Sequence, residues 1–146
     1  MSLDIANILK GEFNDKNGIV LSEDVMSKKV VAVYFSAHWC PPCRNFTPML
    51  KDFYNNLKEM GASFEIVFVS SDQDNNGFNE YYATMPWLAV PFGDDRIKKL
   101  KTAAQIQGIP TLIFVDPSTG KILHGDDDGT EIVYNGSLET VIDWCM

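Results

Sequence analysis

Cysteine is scarce in this 146-residue chain. There are 3, an odd number too small for the disulfide framework of a secreted scaffold and better matched to a reducing compartment in which a pair does chemistry. Basic residues are also in short supply: 12 Lys and Arg stand against 20 Asp and Glu, a formal charge of −8 at pH 7. The densest basic stretch, Arg96, Lys98, Lys99 and Lys101, reads as one solvated side of a helix. This balance argues against a nucleic-acid or anionic-membrane partner. No apolar run approaches the ~20 residues of a membrane span, and Met1 to Ile8 have neither a cationic start nor a long apolar stretch, so no secretory signal or transit peptide is expected. Internal repeats, low-complexity tracts and interdomain linkers are missing as well. What remains is a chain 45% hydrophobic, able to bury one sizeable core but too short for two ordinary domains. Residues 1–146 are therefore read as a single domain, monomeric, in a cytoplasmic or nuclear setting.

Val30 to Ser36 is a continuous β-branched and aromatic run, the pattern of a strand buried on both faces. Beyond it Phe46, Met49, Leu50, Phe53 and Leu57 recur at helical spacing up to the stop at Met60-Gly61, which predicts a long helix from about Pro41, kinked at Pro48. Phe64 to Ser70 predicts a second buried strand, followed by a polar loop and a short aromatic helix around Phe78 to Ala83. Strand, helix, strand, helix is the order of a parallel sheet. A further helix carries Ile97, Leu100 and Ala104 on one face, with Asp94 or Asp95 as N-cap and Gly108 at its end. Thr111–Val115 and Lys121–His124 flank the turn residues Asp116 to Gly120 and are expected to form a hairpin that adds an antiparallel edge. A short strand is expected within Asn14 to Leu21, and a closing helix from Ser137 through Leu138, Val141 and Ile142. The class is α/β, a central mixed sheet with helices on both faces.

Cys40 and Cys43 lie where the first strand gives way to the long helix. A first cysteine there meets the free N–H groups of the opening turn and the positive end of the helix dipole, both of which favour thiolate over thiol. Cys40 is thereby placed for nucleophilic attack. Cys43 sits one turn on, able to attack a mixed disulfide on Cys40 and release the reduced product. Pro41 and Pro42 suit the first helical positions, which have no intrahelical use for an N–H, and their rigid φ limits how the sulfurs relax. Trp39 offers an apolar surface beside them. Half of a zinc site is the competing reading, but only Cys145, His38 and His124 remain as soft ligands, at spacings that match no common module. Neither a metal nor an organic cofactor is implied.

These segments carry a resemblance to the thioredoxin superfamily, and in particular to its tryparedoxin and nucleoredoxin branch. The matching stretches are Tyr34 to Arg44, Phe46-Thr47-Pro48, Phe64 to Asp72, Met85 to Phe92, and Gly108 to Leu112. The resemblance implies a thioredoxin-like fold, Cys40 as attacking and Cys43 as resolving thiol, and a cis Ile109-Pro110 bond facing the pair. The residues alone make Pro110 a trans strand-start residue, since only about one X-Pro bond in twenty is cis. With that bond in place, the Ile109 backbone can pair with an extended substrate segment by strand addition. Ordinary thioredoxins carry Gly-Pro between the cysteines and a buried Asp six residues before the first; here Tyr34 holds that place. A tyrosine with an ordinary pKa near ~10 is a poor proton acceptor at neutral pH, so deprotonation of Cys43 is assigned to water or to an acid of the Ser71-Asp72 loop. Tryparedoxins have a Trp in the short loop where this chain has Ser70-Ser71, and Ser-Ser-Asp looks more like nucleoredoxins.

Other residues have two readings. Trp87, between Pro86 and Pro91, either joins the rim around Cys40 as a substrate contact or plugs a gap between helices. His38 and Arg44 flank the pair and either assist the thiolate or face solvent. Cys145 reads as a small hydrophobe of the last helix, and Asp126 to Asp128 as a solvated turn, because adjacent acids lack the alternating spacing of a calcium loop. The functional expectation is a dithiol–disulfide oxidoreductase that passes electrons from an upstream dithiol or flavoprotein reductant to disulfide-containing proteins or a peroxiredoxin-like acceptor. The alternative is a redox-gated protein-binding regulator with little turnover.

Overall fold

The computed structural model describes residues 2–124 and 129–145. In chain order the elements are α1 (Ser2–Leu9), β1 (Phe13–Asp15), β2 (Gly18–Val20), α2 (Ser22–Met26), β3 (Val30–Ser36), α3 (Pro41–Glu59), β4 (Phe64–Ser70), α4 (Asn75–Tyr82), β5 (Leu88–Ala89), α5 (Arg96–Ala103), β6 (Thr111–Val115), α6 (Thr130–Tyr134) and α7 (Leu138–Cys145). The strands form one mixed sheet in the order β2-β1-β5-β4-β3-β6. At its centre β3 runs parallel to β4, from Val30 opposite Phe64 to Ser36 opposite Ser70. On the other side of β3, β6 runs antiparallel, with Val33 opposite Ile113. The parallel half is completed by β5 on β4, and the β1–β2 hairpin joins β5 through Asn14 and Ala89.

All seven residues of β3 are buried, so alternate side chains fill two separate cores, as the two-residue pleat requires. Val30, Ala32 and Tyr34 face α3, α4, α6 and α7, packing with Phe46, Leu50, Phe68, Phe78, Tyr81 and Val141. Val31, Val33 and Phe35 face α1, α2 and α5, packing with Ile5, Leu9, Val25 and Leu100. The long helix α3 ends where the sequence places its stop: Gly61 takes φ +78° and the Gly61 and Ala62 N–H groups bond back to Lys58 and Leu57, a glycine-based helix cap. Pro48 lies inside this helix.

Several expectations are corrected. Arg96 is not part of a solvated basic face. It is 9% exposed, its guanidinium donates to the carbonyls of Leu9 and Glu12 and to the Asp94 carboxylate, and it lies over the Phe13 ring, so it ties α1 and β1 to α5. Helix α5 stops before Gly108. Gln105 takes the left-handed turn at φ 55°, and the Gln105 and Ile106 N–H groups bond back to Thr102 and Lys101. At its start the Asp94 carboxylate accepts the Arg96 N–H at 2.8 Å. The turn at Asp116 to Gly120 forms, but Lys121–His124 is not a strand: a single bridge joins Val115 to Ile122. The ladder ends because the His124 side chain takes its place, Nε2 accepting the Phe114 N–H at 3.1 Å. Asn14 to Leu21 holds a hairpin rather than one strand, closed by Asp15, whose carboxylate accepts the N–H groups of Asn17 and Gly18. The Asp126–Asp128 turn lies outside the described residues. Among those residues no helix is long and apolar enough to cross a membrane.

Candidate active site

The C-terminal end of β3 and the start of α3 set the geometry of the cysteine pair. Cys40 is the N-cap of α3 in extended conformation, and Pro41 and Pro42 occupy the first two helical positions, where their missing N–H groups cost nothing. Both thiols are free. Cys40 is 5% exposed and Cys43 fully buried, so both are buried and only the first keeps any access from outside. The loop that opens β6 supplies the opposite wall. Ile109-Pro110 is cis, as the family resemblance implied, and the Cys40 thiol donates to the Ile109 carbonyl at 3.8 Å. Ile109 also packs against the small cluster of Ala37, Cys40 and Cys43.

Trp39 stands 56% exposed beside the pair, its ring fixed by donation from Nε1 to the Ser71 carbonyl at 3.1 Å. Asp72 holds the same loop from below: its carboxylate accepts the His38 N–H at 2.7 Å and the Ser70 hydroxyl at 2.8 Å. Neither of those bonds reaches Cys43, so the geometry makes Asp72 a clamp on the His38-Trp39 loop. Trp87 is corrected. It is 1% exposed and meets Tyr34 and Tyr54 edge-on at centroid distances of 6.0 and 5.6 Å. It fills the aromatic core, where no substrate touches it.

Of the groups around Cys43, the sequence singled out Cys40 and Tyr34 but not Ser36, Thr47 or Tyr81. Burial pushes its thiol up to about 11, reinforced by the Cys40 thiol and opposed by the Ser36 hydroxyl and the Ala37 backbone. Under it lies a cluster of buried hydroxyls. Ser36 Oγ and Tyr81 Oη are 2.6 Å apart, Tyr81 Oη and Thr47 Oγ1 2.6 Å, and Thr47 Oγ1 and Tyr34 Oη 2.6 Å. Thr47 also donates to the Cys43 carbonyl at 3.0 Å. Burial raises the Tyr34 and Tyr81 hydroxyls above their ordinary range, so both stay protonated at neutral pH. Ser36 was in principle traceable as the residue two beyond Tyr34 on the same strand face, and Thr47 as one turn beyond Cys43. Tyr81 had no local signal. Outside this cluster, His38 stacks on Tyr81 at 5.5 Å and approaches Glu80. A cavity of about 350 Å³ is lined by His38, Arg44, Thr47, Pro48, Lys51, Tyr81 and Thr84. Cys145 is half-buried against the aromatic core, with its thiol raised chiefly by burial. Among the described residues no cluster of three or more His, Cys, Asp or Glu could hold a metal ion.

A parallel-centred sheet, an antiparallel β6 with a cis-proline before it, and a Cys-x-x-Cys pair opening the helix after β3 together define the thioredoxin fold. The chain belongs to the thioredoxin-like family of oxidoreductases: the family model described as Thioredoxin-like matches residues 28–122. It is 42% identical over 123 residues to the tryparedoxin of Trypanosoma brucei brucei, covering 82% of this chain and 83% of that protein. Against human nucleoredoxin it is 47% identical over 111 residues, or 75% of this chain, but spans only 26% of that protein's length. The crystal structure of tryparedoxin I from Crithidia fasciculata superposes with a TM-score of 0.84 at 35% identity, covering 100% of this chain and 99% of the other.

Proposed function

We propose that this chain reduces protein disulfides by dithiol exchange, with Cys40 as the attacking and Cys43 as the resolving thiol. The observation that carries the reading is the asymmetry of the pair: Cys40, at the helix start beneath the Ile109 carbonyl, keeps a small exposure, while Cys43 has none. A substrate segment lies in extended form along Ile109, beside Pro110, with Trp39 as its apolar platform. The Cys40 thiolate attacks one substrate sulfur; the substrate disulfide breaks, one half leaves as a thiolate and the other is held on Cys40 as a mixed disulfide. Cys43, deprotonated, then attacks Cys40 Sγ, the Cys40–substrate bond breaks, and the second substrate thiolate departs, leaving a Cys40–Cys43 disulfide. Pro41 and Pro42 hold the two cysteines at the opening turn of α3, where their sulfurs can meet when the disulfide closes, and Asp72 keeps the Trp39 loop in register. Two electrons from an upstream dithiol or flavoprotein reductant restore the pair.

The substrates that fit are disulfide-containing proteins, including a peroxiredoxin-like acceptor, in the cytoplasm or nucleus. The test is dithiothreitol-driven insulin reduction. Wild type accelerates precipitation, Cys40→Ser abolishes the acceleration, and Cys43→Ser accumulates substrates as mixed disulfides on Cys40. A wild-type chain that leaves the insulin rate unchanged refutes the reading.

A further inference from the structure

We infer that Ser36 and Tyr81 form a proton relay that carries the Cys43 proton to the cavity between His38 and Arg44, which makes Tyr81 a positioning residue for the resolving step. The inference rests on the dithiol exchange proposed above and concerns only its second half. At that moment a substrate is bonded to Cys40 and lies over the Trp39 and Ile109 side of the site, while Cys43, fully buried, still has a proton to lose. No residue of the cavity lining is Trp39, Cys40 or Ile109, so that route stays open while the substrate side is covered.

The hydroxyls are already in series. One assignment lets each hydroxyl donate once: Ser36, which hydrogen-bonds the Cys43 thiol, to Tyr81 at 2.6 Å, Tyr81 to Thr47 at 2.6 Å, and Thr47 to the Cys43 carbonyl at 3.0 Å. Tyr34 donates into the same cluster at Thr47 and holds the threonine in place. Tyr81 and Thr47 both line the cavity, so the last hydroxyl hands its proton to water there by turning away from the Cys43 carbonyl. Each member passes on one proton and receives one, and the relay ends as it began, all hydroxyls neutral. The net step is Cys43–SH plus the Cys40–substrate disulfide giving the Cys40–Cys43 disulfide, the substrate thiolate and one proton released into the cavity. The titratable and charged groups around this path are Cys40 and Tyr34 beside Cys43, and His38, Glu80, Arg44 and Lys51 around Tyr81 and the cavity. Asp72 is turned instead to His38 and Ser70.

The experiment is rapid mixing of the reduced protein with excess 5,5′-dithiobis(2-nitrobenzoate), in which the first nitrothiobenzoate release reports attack by Cys40 and the second reports closure by Cys43. Tyr81→Phe keeps the ring and removes the relay oxygen. The expected result is a second phase slowed at least about tenfold at pH 7, below the ~10²-fold reach of a positioned general base, with the first phase within about twofold of wild type. In mixtures of light and heavy water the wild-type second phase gives a bowed dependence, because several protons move together, and Tyr81→Phe gives a straight one. Ser36→Ala, a smaller change, produces the same pattern and decides the matter if Tyr81→Phe folds poorly. A second phase within about twofold of wild type in Ser36→Ala, both phases slowed alike, or a straight wild-type isotope dependence overturns the relay. A wild type that shows no second phase at all refutes dithiol exchange itself, a different failure.

Discussion

The two faces of the sheet are built from alternate residues of the same strands yet differ in kind. The face toward α1, α2 and α5 is mostly aliphatic: Val31, Val33, Val67, Val69, Ile113 and Val115 meet Ile5, Leu9 and Leu100. The face toward α3, α4, α6 and α7 is crowded with rings, among them Tyr34, Phe46, Phe68, Tyr81, Tyr82 and Trp87. Both exclude water, but only the second carries hydroxyls into the interior, because a tyrosine buries a large apolar body and still presents a polar tip. That face is also the one that reaches the cysteines. The aliphatic face holds the sheet; the aromatic face holds it and sets the environment of Cys43.

The sharpest way to separate the two is Leu100→Ala on the aliphatic face. Leu100 is 1% exposed, and its truncation is expected to cost about 3 kcal/mol in urea unfolding while both phases of aryl-disulfide reaction keep their rates. An altered second phase would show that the faces are not independent. Next in size is the alkaline loss of stability. The fold favours the neutral Cys43 thiol, moving it from an ordinary 9.0 up to about 11, so its contribution is full below pH 9 and is lost as pH rises through 11. At about 1.4 kcal/mol per pH unit this interval is on the order of 3 kcal/mol, which solvent screening brings down to about 2 kcal/mol. Tyr34, Tyr54, Tyr81 and Tyr82, all on the aromatic face, are raised by burial and add losses of the same sign. Urea midpoints measured from pH 8 upward therefore fall with pH; Cys43→Ser flattens the first part of that fall, and Leu100→Ala lowers the whole curve without changing its slope. The smallest effect belongs to Tyr34→Phe, at about 1 kcal/mol, because Thr47 keeps Tyr81 and the Cys43 carbonyl as partners. A loss as large as that of Leu100→Ala would mean that the hydroxyl cluster, and not ring packing, dominates the aromatic face.

Much of the central scaffold was legible from residues alone. The run Val30 to Ser36, the helical spacing from Phe46 to Leu57 and the stop at Met60-Gly61 are strong periodic signals, and Cys-Pro-Pro-Cys at their junction marks the reactive end. The cis state of Ile109-Pro110 came only through family resemblance. What was not legible depends on contacts distant in sequence. Arg96 looks like its neighbours Lys98 and Lys99 until α1 and β1 supply carbonyls for its guanidinium. Trp87 fits the rim as well as the core until Tyr34 and Tyr54 close around it. Asp72 looked like an acid awaiting a proton, yet its oxygens are taken by the loop it holds. Helices α2 and α6 were missed because elements of five residues leave little periodicity to read; α1, as long as α4, α5 and α7, was missed as well.

The outer edge of β6 is met by its own chain at Leu112 and Phe114: Gly129 donates to the Leu112 carbonyl and Leu123 to that of Phe114, while His124 receives the Phe114 N–H. Gly129 fits so closely that a β-carbon there would stand 2.4 Å from the Leu112 oxygen. Under the proposed strand addition beside Ile109 the chain runs the risk of pairing with copies of itself, since a bare sheet edge templates self-association. Here the rim nearest the cysteines is closed to that traffic. On this side of the sheet a partner strand is offered one short landing beside the cysteine pair rather than a continuous track along β6.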